Sequence, residues 1–182
     1  FRKGLQTLGW AEGRNVRIDT RWATADVASI QRSAKELVAL QPDLILSNST
    51  PTTAALLQQT RTISIVFAVV SDPVGSGFVA SFPRPGGNAT GLTNIEPTMA
   101  GKWLELLREI APRINRAAIL FNPATATYAD HYLNAFKTAA ASFGVEAVIA
   151  SVRDRSELES VISAHAREPN AGLIVMTDSF TS

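Results

Sequence analysis

Short apolar runs alternate with amphipathic helical patterns along the whole chain, and this alternation constrains the fold more than any other feature. The runs are Asn15–Trp22 (NVRIDTRW), Leu44–Ser47 (LILS), Ile63–Val70 (ISIVFAVV), Thr90–Thr93, Arg116–Phe121 (RAAILF), Val145–Ala150 and Gly172–Thr177 (GLIVMT). Between them apolar residues recur at helical spacing, as in Val27, Ile30, Ala34, Leu37 and Val38, or Ala100, Trp103, Leu104, Leu107 and Ile110. Strands separated by helix-length segments pair in parallel, because a parallel neighbour is reached only by a crossover. The expected class is therefore α/β, with parallel sheets and helices on both faces.

Local signals mark the helix ends. Asp26 is placed to cap one helix, Gly144 to close another, and Ser156 with Glu159 to form a capping box. Pro73 predicts a short helical piece running through Phe82. The stretch 83–91 is rich in Pro and Gly and divides the chain near its middle. Two doubly wound lobes, 1–95 and 96–182, fit this better than one continuous sheet.

With 46% hydrophobic residues in 182, the chain has enough apolar mass for real cores. A net charge of +1 implies no extended basic face for nucleic acid. The absence of cysteine excludes disulfides, thiolate metal sites and a Cys nucleophile.

In open parallel sheets ligands sit beyond the carboxyl ends of the strands. One such end is LILSNSTPTTAALL at 44–57, a strand, a hydroxyl-rich turn and a helix start. Helix N-termini present orphan N–H groups and a positive dipole end, which suits an anion. Ser49 or Thr50 can cap that helix, with Pro51 at its first turn. The candidate binding residues at these ends are Ser49, Thr50, Thr52, Ser71, Asp72, Asn94, Asn122 and Asp178, with Tyr128 as a cleft-lining aromatic. They are hydroxyls, amides and two carboxylates, equipment for orienting a polar small molecule rather than for acid–base chemistry. The same residue types are ordinary turn and cap residues, and Asp72 serves equally as a helix cap or as an acceptor for a ligand ammonium.

Near-miss motifs do not change this reading. Gly75-Ser-Gly77-Phe-Val-Ala80 has dinucleotide-type spacing, but Pro83 interrupts the crossover helix that the motif needs. Gly86–Thr93 has P-loop spacing with Leu92 in place of the lysine. His131 and His165 lack partners at metal-ligand spacing and read as helix-flank residues. No metal or cofactor is expected.

Several segments together resemble a known family. These are Phe1–Val16 (FRKGLQTLGWAEGRNV), Asp43–Ala55 (DLILSNSTPTTAA), Ile65–Val74 (IVFAVVSDPV), Pro85–Thr93 (PGGNATGLT), Lys102–Pro112 (KWLELLREIAP), Ala118–Pro123 (AILFNP) and Gly172–Asp178 (GLIVMTD). The chain resembles bacterial ABC-transporter substrate-binding proteins of the tryptophan/tyrosine-transporter-like group.

The resemblance implies a type I periplasmic-binding-protein fold, two lobes closing on a solute. It implies a non-enzymatic, extracytoplasmic protein that delivers an amino acid or similar metabolite to a membrane permease. Ser49, Thr50 and Thr52 would meet a carboxylate and Asp72 an ammonium. Asn94, Asn122 and Asp178 would close from the crossover and the second lobe. Measured against that family, the chain reads as an interior piece truncated at both ends, whose unpaired sheet edges predict dimerisation or strand exchange. Two other classes stay open, namely a ligand-sensing domain of a transcriptional regulator and a doubly wound enzyme.

Overall fold

Every strand pairing among the described residues is parallel. The computed structural model describes residues 1–24 and 26–181. In chain order the elements are α1 (Arg2–Thr7), α2 (Val27–Ala39), β1 (Leu44–Asn48), α3 (Thr50–Gln59), β2 (Ser64–Val70), β3 (Ala89–Thr93), α4 (Met99–Ile110), β4 (Arg116–Phe121), α5 (Ala129–Phe143), β5 (Glu146–Ser151), α6 (Arg155–His165) and β6 (Ala171–Val175). They form two three-stranded sheets, ordered β1-β2-β3 and β5-β4-β6. The expected α/β class with parallel sheets is what the chain adopts.

The second sheet is covered on both faces, which explains its continuous apolar central strand. Alternate residues of β4 point to opposite sides. Ala117, Ile119 and Phe121 pack with α4 and α5 through Leu104, Tyr132 and Phe136. Ala118 and Leu120 pack with Val152 and with Leu158 and Val161 of α6. The first sheet departs from the expectation. Its Ile45, Ile65, Phe67 and Val70 meet Ile30 and Ala34 of α2 and Ala55, Leu56 and Leu57 of α3. The opposite face leaves Leu44, Leu46 and Leu92 exposed, and α1 contributes no buried residue.

Three further expectations are corrected. Asn15–Trp22 forms no strand; only an isolated Glu12–Val16 bridge is present. A strand needs a ladder partner, and among the described residues nothing pairs with 17–24. No helix follows Pro73. Asp72 enters the left-handed region at φ 45°, its Oδ1 accepts from Gly75 N at 2.9 Å, and successive turns follow instead. The cap of α6 lies two residues earlier than expected, at Asp154 rather than Ser156. Asp154 accepts from Glu157 N at 2.9 Å, and Glu157 Oε2 accepts from Arg153 N at 2.8 Å. Glu159 pairs with Arg155 on the helix surface.

The contact between β2 and β3 is tight at Gly91. A Cβ there would lie 2.0 Å from the Phe67 carbonyl oxygen and 2.6 Å from its ring. Gly87, by contrast, has nothing within 4 Å of the same construction. Gly91→Ala is expected to lower stability by about 1–3 kcal/mol, and Gly87→Ala to stay within about 0.5 kcal/mol. Urea midpoints of the two variants check this; equal midpoints would contradict the close approach.

Candidate functional site

A bulge shapes the carboxyl end of the first sheet. The register runs Phe67↔Gly91 and then Val70↔Thr93, leaving one extra residue on β2, and Val69 takes φ 55°. The bulge delivers Ser71 between two neighbours. Its backbone N–H donates to Thr50 Oγ1 at 3.0 Å, and its hydroxyl donates to Asn94 Oδ1 at 3.2 Å. Thr93 Oγ1 and Asn94 N both donate to Val70 O. Ser71, Thr50 and Asn94 are thus brought together, and Asp72 follows directly.

The hydroxyl turn before α3 is satisfied from within. Thr53 Oγ1 meets Ser47 Oγ at 2.7 Å and donates to Ser49 O at 2.8 Å. Thr52 Oγ1 donates to Asn48 O and lies 3.1 Å from Ser49 Oγ. Neither Ser49 nor Thr50 caps the helix with its side chain, contrary to expectation. Ser49 instead sits at φ 89°, ψ 156°, a backbone region that costs a non-glycine residue roughly 1–3 kcal/mol. Val69 and Asp72 also take positive φ at the same sheet end. Positions of this kind persist only where the surroundings over-determine them.

The second sheet ends in a carboxylate clamp. Asp178 is buried, and its Oδ1 accepts from Thr125 Oγ1 at 3.0 Å and from the amides of Phe180 and Thr181. Its Oδ2 accepts from Asn122 N at 3.1 Å. Asn122 in turn donates to Arg153 O and accepts from Ala124 N. Asn122 and Asp178 therefore meet, and their bonds fix the β4 and β6 turns.

Of two tyrosines at the start of α5, Tyr132 reaches across to the crossover and Tyr128 stays within the second half. Tyr132 donates to Ile95 O, on the crossover, at 2.7 Å. Tyr128 donates to Thr177 O. Their rings meet edge-on at 5.5 Å, and Trp103 stacks on Tyr132 at 5.9 Å. Burial pushes both phenols above their ordinary range, with hydrogen bonding toward Ser71 working the other way. The charges of Asp72 and Glu96 add to the upward shift of Tyr132, and that of Asp178 to that of Tyr128. Tyr132 was not among the sequence candidates, although its i, i+4 spacing from Tyr128 places both on one side of the helix start.

Beside this junction lies a groove of about 250 Å³, lined by Asp72, Pro73, Val74, Phe82, Thr93, Ile95, Glu96, Pro97 and Thr98. Its walls are apolar and its charges are two carboxylates, a chemistry suited to an ammonium attached to an apolar body. Phe82 is a lining residue that sequence reasoning missed, and no motif marks it. Among the described residues no cluster of three or more His, Cys, Asp or Glu is placed to hold a metal, and no helix is long and apolar enough to cross a membrane.

Comparison with known proteins gives a consistent picture. The family model for "ABC transporter substrate binding protein" matches residues 1–182. A "Tyrosine-binding protein" of Clostridioides difficile is 34% identical over 122 residues, 67% of this chain and 35% of the relative. A conserved domain protein from Vibrio cholerae has a similar crystal structure at TM-score 0.81 and 33% identity, covering 91% of this chain and 55% of that one. The ABC domain from Streptococcus pneumoniae in complex with L-Trp superposes at TM-score 0.83 and 24% identity, over 97% of this chain and 58% of that one, and shows likeness of fold. The chain thus spans about a third of the curated relative and little more than half of these structures.

Tyr128 and Tyr132 are the only tyrosines in the sequence. A pKa raised by folding means that the native state holds its proton more tightly than the unfolded chain. The associated stability is complete below the ordinary value of 10.0 and is lost as pH rises beyond it. Tyrosinate absorbance is therefore expected to appear together with loss of helical circular dichroism in an alkaline titration. Ionisation near pH 10 with the fold intact would contradict the burial of both phenols.

Proposed function

The chain belongs to the ABC transporter substrate-binding protein family, and on that premise we propose that it is the solute-capturing part of an importer, working outside the cytoplasmic membrane. Its solute is a small amino acid, aromatic in the first instance, and its partner a membrane permease. The lobes are residues 1–95 and 96–182, with the solute held where their strand ends face each other. Capture is binding without catalysis.

The observation that carries this reading is the groove at the crossover, where Asp72 and Glu96 face apolar walls of Val74, Phe82, Ile95 and Pro97. Its size falls just below the roughly 300–1,000 Å³ typical of drug-sized sites, as suits a metabolite. Asp72 is the ammonium acceptor in this reading, and the start of α3 receives the carboxylate through backbone amides. The Ser49, Thr50 and Thr52 hydroxyls act by shaping that turn, since their own bonds are internal. Ser71 and Asn94 hold the crossover end of the site, and Tyr128, Asn122 and Asp178 fix the facing edge. The tyrosine of the Clostridioides difficile relative supports an aromatic amino acid as first choice. The open edge of β1 and the exposed Leu44, Leu46 and Leu92 support self-association through the first sheet.

Isothermal titration with L-tyrosine, L-tryptophan and L-leucine tests the proposal. Asp72→Asn is expected to weaken binding tenfold or more, since a hydrogen bond to a charged group contributes about 1.5–3 kcal/mol. Unchanged affinity in Asp72→Asn, or no heat with any of the three, would overturn the assignment.

A further inference from the structure

Asp72 and His131 belong to different halves of the chain, the first following β2 and the second on the opening turn of α5. His131 Nε2 lies 3.8 Å from Asp72 Oδ2. The carboxylate is held for this meeting. Its Oδ1 accepts from Gly75 N at 2.9 Å, Ser76 N donates to the Asp72 carbonyl at 2.9 Å, and the side chain is only 15% exposed. Gly75 leaves the space between the two groups. A Cβ there would stand 2.1 Å from Asp72 Oδ2 and 2.9 Å from His131 Nε2.

We propose that His131 and Asp72 form a pH-sensitive tie between the two sheets, closed when the imidazole is protonated. Histidine is the side chain whose charge changes between roughly pH 5 and 8. A charged imidazole at this distance attracts the carboxylate, and a neutral one gains little. Glu96 lies on the crossover and Asp130 on α5 itself, while Tyr128 and Tyr132 stay neutral because their pKa values are raised. On α4, which packs against α5, Lys102 is paired with Glu105, and Arg108 sits over the distant Phe143 ring. Asp178, beyond Tyr128, is engaged by Asn122, Thr125, Phe180 and Thr181. Next to His131, the Tyr132 bond to Ile95 O carries no charge and stays made across this range. It is the pivot, and the ion pair is the latch. The latch forms without solute, and it uses the same Asp72 carboxylate that the proposed site offers to an ammonium.

The sequence has no cysteine, so spin labels at Lys35→Cys and Ser160→Cys, both exposed, report the separation of the halves. Electron–electron distance measurements on the full chain without solute are expected to narrow from pH 8 to pH 5. His131→Gln loses the narrowing, Gly75→Ala loses it by separating the pair, and His131→Lys is narrow at both pH values. Circular dichroism confirms that each variant is folded. A distribution that is the same at both pH values in the labelled parent, or a narrowing that survives in His131→Gln, would overturn the proposal. Either result leaves the solute titrations to be judged on their own.

Discussion

Parallel pairing is the constraint from which the rest follows. Because β1, β2 and β3 run the same way, as do β4, β5 and β6, each sheet gathers all its carboxyl ends on one edge. Each neighbour must be reached by a crossover, and all but the β2-to-β3 connection carry helices that cover the sheets. The polar turns after the strands are thereby assembled side by side, although they are far apart in sequence. Ser71 meets Thr50 and Asn94, and Asn122 meets Asp178, through this geometry alone. The bulge at Val69 adjusts it by one residue, turning the chain so that Ser71 and Asp72 stand at the crossover.

Polar groups at these edges divide into two kinds. Buried hydroxyls and amides must be hydrogen-bonded or they cost stability, and Ser47, Thr53, Asn122, Thr125 and Asp178 meet that demand internally. They make the rim rigid. Asp72 and Glu96 line the groove, Asp72 from a positive-φ backbone and with its Oδ1 accepting from Gly75 N. A rigid rim with a few groups left toward solvent is how a site binds without reorganising first. The tyrosine pair adds the mechanical element, tying α5 to the crossover at Ile95 while its rings stay in the second core.

Much of this was legible in the sequence. Strongly periodic helices such as 99–110 and 129–143, and apolar runs such as 64–70 and 116–121, carry their own signal. The Pro/Gly-rich stretch 83–91 runs into β3 and so falls within the first sheet, and the change to the second sheet comes only after β3. What failed depended on partners. Asn15–Trp22 alternates like a strand, yet alternation cannot supply a ladder. Pro73 suits a helix start, but Asp72 captures Gly75 N first and turns the chain away. The Ser156–Glu159 signature lost to Asp154–Glu157, the same chemistry two residues earlier. The candidate hydroxyls were found by position, whereas their internal bonding depends on side-chain directions that no motif encodes. His131 and Tyr132 look like helix surface and helix core until the opposite half is in place.

The account rests on one claim, that a solute is held jointly by the strand ends of both sheets. Amide chemical-shift mapping of the labelled chain during titration with L-tyrosine tests it most directly. The account predicts shifts around Ser71–Asp72 and Asn94–Glu96 on one side and around Asn122–Tyr128 and Thr177–Asp178 on the other, with the exposed face bearing Leu44 and Leu46 silent. Shifts confined to one sheet, or to that exposed face, would contradict it.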